Sequence, residues 1–202
     1  MLNRFRGLAQ KVWAPLADAL LRAGVSPDVV TVAGTLVVVV TALWAFPTGH
    51  LLLGAVVIGV FTLTDSLDGV MARRSGRTGP WGAFLDSTLD RFGDAAIFSG
   101  LVVWYVGGGD DRTAALLALA CLVLGSVVPY ARARAEGLGM TASGGIAERA
   151  DRLLVVLVAT AVVGAGAPTV VMSVVLALLA VASAVTVVQR MATVRRQVQE
   201  NA

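Results

Sequence analysis

Two stretches of this chain, Val29 to Thr64 and Leu153 to Gln189, contain no Asp, Glu, Lys or Arg. About 20 apolar residues suffice for a helix to cross the hydrocarbon of a bilayer, so each stretch is long enough for two crossings. Backbone amides have no water to bond there, which leaves helices or closed barrels. Pro47-Thr48-Gly49-His50 breaks the first stretch, and Gly164-Ala165-Gly166-Ala167-Pro168 breaks the second. The predicted spans are about 28–47, 50–72, 81–106, 112–134, 149–165 and 168–190. Gly107-Gly108-Gly109 stops the third, and Pro129 is predicted to kink the fourth. With 57% hydrophobic and 14% charged residues, against about 25% charge in soluble domains, a soluble enzyme and a disordered chain are excluded. The single cysteine, Cys121, rules out an intramolecular disulfide.

The expected fold is an all-α integral membrane protein with six transmembrane helices and an N-terminal amphipathic surface helix. It forms one domain over 1–202, with 1–25 interfacial and about 28–196 a six-helix bundle. Phe5, Leu8, Val12, Leu16 and Leu20 recur at helical spacing, with Arg4, Arg6, Lys11 and Arg22 between them. Such a helix lies on the membrane surface or packs on its own bundle. Ser26-Pro27-Asp28 has the residue order of a helix start. Fourteen of the sixteen basic residues fall on one side of the predicted spans. The positive-inside rule makes that side, with both termini, cytoplasmic. The net charge of +3 then reflects topology and anionic lipid or substrate, not nucleic acid.

Asp65, Asp68, Asp86, Asp90 and Asp94 fall within or at the ends of these helices. Each aspartate at the centre of a span costs about 2.5–3.5 kcal/mol on insertion scales. Asp65 and Asp68 share one face of the second span, and Asp86 and Asp90 share one face of the third. A short connection makes the two helices antiparallel neighbours, so four carboxylates converge near the cytoplasmic side. Carboxylates without histidine or thiol suit two hard cations, Mg²⁺ or possible Mn²⁺. The alternative is structural neutralisation by arginines such as Arg73 and Arg91. Gly69, Ala72 and Gly82 beside them leave room for a bulky ligand. Together with Arg73, this describes a diphosphate site.

The pattern Asp65-x2-Asp68-Gly69-x2-Ala72-Arg73-x8-Gly82-x3-Asp86-x3-Asp90 resembles the signature of the CDP-alcohol phosphotransferases. That resemblance implies transfer of a phosphatidyl group from CDP-diacylglycerol to an alcohol, with release of CMP. It implies two metal ions on Asp65, Asp68, Asp86 and Asp90, with Asp90 also the general base. It implies CDP-lipid contacts from Asp28, Thr31, Gly69, Ala72, Arg73, Thr78 and Gly82. Ser26-Pro27-Asp28-Val29-Val30-Thr31, Tyr130 to Glu136, Glu148-Arg149-x2-Arg152 and Val188-Gln189-Arg190 resemble the actinobacterial branch that makes phosphatidylinositol phosphate. The implied acceptor is inositol 1-phosphate, held by Arg132, Arg152 and Arg190. Arg132 stands where relatives often carry lysine, and a planar fork does not superpose on an ammonium. The resemblance also implies a homodimer.

Two other readings are compatible with the residues. Glycerol 3-phosphate as acceptor, as in phosphatidylglycerophosphate synthases, keeps the chemistry. A divalent-cation transporter would also use intramembrane carboxylates, but needs a polar path that the fourth to sixth spans lack. His50 and Cys121 are assigned no catalytic role. Asp94 is left outside the site, and Arg149, Arg195 and Arg196 are read as topological.

Overall fold

The computed structural model describes residues 13–64, 66–146 and 148–200, and among these all regular structure is helical. Helix α1 covers 13–22. It is followed by α2 (Pro27–Ala45), α3 (Leu51–Thr64), α4 (Ser66–Ser75), α5 (Pro80–Val106), α6 (Arg112–Glu136), α7 (Arg149–Gly164) and α8 (Val170–Glu200). The predicted spans agree with these helices to within a few residues, except at the C-terminal end of α8. The second span corresponds to α3 and α4 together, and Asp65 between them lies outside the described residues.

Local sequence explains the ends. Ser26 Oγ accepts a hydrogen bond from Val29 N, Pro27 opens α2, and Asp28 lies in its first turn. At the opposite end of the bundle, Asp111 caps α6 by accepting from Ala114 N at 2.9 Å. Ser173 Oγ of α8 also bonds Asp111, at 3.3 Å. These bonds, led by the one from Ala114, hold the Asp111 carboxyl below its usual range.

The bundle is apolar inside and outside, and side-chain size distinguishes the two. Ala42, Ala96, Gly100, Ala114, Ala115 and Ala118 are buried where α2, α5 and α6 meet. Val40, Leu43, Val60, Val123, Val158 and Leu178 are exposed. Lipid competes equally for apolar surface, so close approach of small residues drives helix association. This is a multi-pass membrane protein. By length and apolarity, 27–45, 51–75, 112–136 and 170–200 qualify as crossings. Helix α5 carries Asp86, Asp90, Arg91 and Asp94, and α7 has only 16 residues. Those features separate these two from the other helices.

The described part of the N-terminal helix packs on the bundle. Ala17 is fully buried against Leu67, Val70 and Met71, with Trp13, Leu20 and Leu21 beside them. Arg74 makes a two-pronged ion pair with Asp18, both bonds 2.6 Å. Leu16 stays 43% exposed. The apolar positions Phe5, Leu8 and Val12 lie outside the described residues.

Gly100 marks a close crossing of α5 and α2. A Cβ there would overlap the backbone carbonyl of Ala42 and crowd Phe46. Gly100→Ala is therefore expected to destabilise the fold by about 1–3 kcal/mol. Thermal unfolding in detergent micelles measures this; an unchanged midpoint would contradict the close α2–α5 contact.

Candidate active site

Helix α4 brings Asp68 to a cavity of about 230 Å³, and α5 brings Asp86 to the same cavity. Thr31 reaches it from α2. Its hydroxyl donates to Asp68 Oδ2, while Gly69 N donates to Asp68 Oδ1. The rest of the lining includes Asp28, Gly69, Ala72, Arg73, Thr78 and Gly82. All seven residues expected at the CDP-lipid thus meet in one place. Trp81 Nε1 fixes Asp28 through a 3.1 Å bond to Oδ2. A Cβ on Gly82 would meet nothing within 4 Å, so that position borders open space. Arg77 also lines the cavity. It directly precedes Thr78 and is not among the expected CDP-lipid contacts.

A second cavity, of about 360 Å³, adjoins the first. Its walls are mostly apolar, including Val29, Val30, Val37, Phe61 and Ile97, and it reaches Asp90 and Arg149. Thr31 and Asp68 line both cavities. The hydrogen-bonded Thr31–Asp68 pair therefore stands where a chamber with charged side chains of both signs meets an apolar groove.

Asp90 is bound by arginine. Arg149 Nη1 lies 2.9 Å from its Oδ1, and Arg91 Nη2 lies 3.6 Å from its Oδ2. Arg149 Nε donates to Asp94 at 3.0 Å. The buried Asp94 also faces Arg91 at 3.8 Å and Arg152 at 3.9 Å. Sequence reasoning left Arg149 and Asp94 outside the site. Arginine neutralisation, raised as the alternative to metal, thus applies to Asp90 and Asp94. Asp68 and Asp86 differ: among the described residues, neither makes an ion pair.

The three acceptor arginines have different surroundings. Arg190 lines a cavity of about 730 Å³ with Ser143, Gly144, Gly145 and Ile146. It donates to Gly144 O at 3.1 Å and to Val128 O. Arg132 is more than half exposed and pairs with Glu136 at 2.8 Å. Arg152 is only 4% exposed and points at Asp94 and at Gly125 O, 3.4 Å from its Nη2. Pro129 accounts for the free carbonyl. It has no N–H to close the helical bond to Gly125, and the guanidinium packs over Gly125, 3.7 Å from where a Cβ would stand.

The chemistry of these donors fits a hard divalent cation. Asp68 and Asp86 offer carboxylate oxygens to one cavity, with no sulfur or imidazole among its lining residues. Among the described residues no cluster of three acidic, histidine or cysteine side chains forms. Asp65, the other expected ligand on that face, lies outside them. Thr31 orients Asp68 from behind. Removing such a support typically weakens a metal site about 10- to 100-fold. Thr31→Val is expected to weaken Mn²⁺ binding by that factor, read by calorimetry on the purified protein. Unchanged affinity would remove Asp68 from the metal site.

The chain matches the model of the CDP-alcohol phosphatidyltransferase family over residues 24–146. It is 50% identical to the phosphatidylinositol phosphate synthase of Cutibacterium acnes, over 97% of this chain and 98% of that protein. It is 46% identical to the synthase of the same name from Streptomyces avermitilis, over 99% and 85%. The crystal structure of Mycobacterium tuberculosis phosphatidylinositol phosphate synthase with CDP-DAG bound superposes with a TM-score of 0.87 at 44% identity, covering 91% of this chain and 94% of that one. The same enzyme in complex with manganese and citrate gives 0.86 at 44% identity, covering 90% and 88%. By the family match and by these relatives, the chain belongs to the CDP-alcohol phosphatidyltransferase family.

Proposed function

We propose that this protein transfers the phosphatidyl group of CDP-diacylglycerol to inositol 1-phosphate, forming phosphatidylinositol phosphate and releasing CMP. The observation that carries this reading is the junction at Thr31 and Asp68. A chamber with carboxylates, Arg73 and Arg77 opens beside an apolar groove. A CDP-lipid presents the same pair of surfaces, a charged diphosphate and hydrocarbon tails. The names of the close relatives support the choice of acceptor.

Arg73 and Arg77 hold the diphosphate, with Gly69, Ala72 and Gly82 admitting its bulk. Mg²⁺ or Mn²⁺ on Asp65, Asp68 and Asp86 supplies Lewis-acid polarisation of the diphosphate and offsets charge on departing CMP. Asp90 adjoins this metal site and accepts the proton from the acceptor hydroxyl. The hydroxyl oxygen bonds to the phosphorus of the phosphatidyl group as the bond from that phosphorus to the CMP oxygen breaks. Arg149, 2.9 Å away, favours the ionised carboxylate that this step needs. Arg190, Arg132 and Arg152 supply the positive field for the acceptor's phosphate.

The active site and both termini face the cytoplasm in this reading, consistent with the grouping of basic residues. Helices α5 and α7 complete six spans within one domain, and the protein works as a homodimer. The charges of α5 are tolerated in the bilayer because they border cavities or pair with α7.

CMP release by the purified protein in mixed micelles tests the assignment, with CDP-diacylglycerol, Mg²⁺ and one acceptor at a time. Inositol 1-phosphate is expected to support turnover, while free inositol, glycerol 3-phosphate and serine do not. EDTA is expected to abolish it, and Asp90→Asn to slow it by about 10²- to 10⁴-fold. Turnover with glycerol 3-phosphate alone would overturn the acceptor, and EDTA-resistant turnover would overturn the metal.

A further inference from the structure

The residues around Asp94 form a buried network beside the carboxylate signature. Asp94 is 8% exposed and comes from α5, while Arg149 and Arg152 come from α7. Arg149 uses two different nitrogens. Its Nε donates to Asp94 Oδ1 at 3.0 Å, and its Nη1 meets Asp90 Oδ1 at 2.9 Å. A planar guanidinium held at Nε cannot rotate without withdrawing Nη1 from Asp90. Arg91 and Arg152 approach Asp94 from other sides, at 3.8 and 3.9 Å. Arg91 Nε and Arg152 Nη1 are buried with no hydrogen-bond partner. Both carboxylates here are therefore shared among three cations, and Asp94 fixes how they are shared.

We infer that Asp94 is a positioning residue for the transfer reaction, acting through Arg149 on Asp90. Held at Nε by Asp94, Arg149 keeps its Nη1 on Asp90 Oδ1, while Arg91 Nη2 lies 3.6 Å from Oδ2, so Asp94 sets how Arg149 presents its charge to the base. Without Asp94, Arg149 loses its Nε acceptor and with it a contact that sets its direction toward Asp90. The inference rests on the proposed role of Asp90 as base, but not on which alcohol is the acceptor.

A double-mutant cycle on the full-length protein tests it. CMP release is measured for the wild type, Asp94→Asn, Arg149→Lys and the double variant, with CDP-diacylglycerol and Mg²⁺. Lysine keeps the charge of Arg149 but lacks the second nitrogen that links the two carboxylates. Asp94→Asn is expected to lower kcat by about 10- to 100-fold, as loss of an outer support does, with an unchanged KM for CDP-diacylglycerol. The double variant is expected to be no slower than the slower single variant, because both break the same link. Asp94→Glu, which restores the charge, is expected to recover part of kcat. If Asp94→Asn does not fold, the cycle is run with Asp94→Glu, and the same non-additivity is expected. A kcat within about twofold of wild type, or single effects that multiply in the double variant, would overturn the inference. A wild type that turns over only with another alcohol overturns the acceptor assignment alone, and the cycle is then run with that alcohol.

Discussion

Carboxylates cannot stay charged in hydrocarbon without partners, and this constraint organises the molecule. Four aspartates on α4 and α5 have been given described surroundings, and these fall into two kinds. Asp90 and Asp94 are answered by arginines of α5 and α7. Asp68 and Asp86 are answered by a cavity, with a threonine hydroxyl and a backbone amide on Asp68. Protein cations face the first pair. In the proposed function the second pair takes cations from solution, which is the division of labour that metal-assisted phosphoryl chemistry needs.

The rest of the bundle serves that arrangement. Small residues let α5 pack closely on both α2 and α6, and α2 in turn packs on α4, where Thr31 reaches Asp68. Gly100 against Ala42 marks the close approach of α5 to α2 farther along the bundle. The large aliphatic side chains that would prevent such approach are turned to the lipid. Pro129 and Gly125 serve Arg152 in a similar way. Pro129 withholds an N–H, and the buried guanidinium turns to the carbonyl of Gly125 that this leaves.

Much of this was legible in the sequence because the governing signals are one-dimensional. Uncharged length gave the helices, fixed spacing brought out Asp68 and Asp86, and the family resemblance pointed to the seven residues that line one cavity with them. The network of Arg149 and Asp94 was not legible. Arg149 reads as one more basic residue at a cytoplasmic helix end, and only the approach of α7 to α5 turns it toward Asp90. The direction of Arg152 was hidden for the same reason. Its position in the sequence suits an acceptor pocket, but its side chain runs inward to a carbonyl freed by a proline on another helix. Side-chain direction depends on which helices meet, and spacing along one helix does not carry that.

The central claim is that the cavity lined by Asp68 and Asp86 holds the divalent ions against the diphosphate of a CDP-lipid. Anomalous scattering from crystals grown with Mn²⁺ and CDP-diacylglycerol tests it most directly. The account predicts manganese peaks inside that cavity, in contact with Asp68 and Asp86 and with the diphosphate. Peaks elsewhere, or a bound CDP-lipid with no manganese beside these carboxylates, would contradict it.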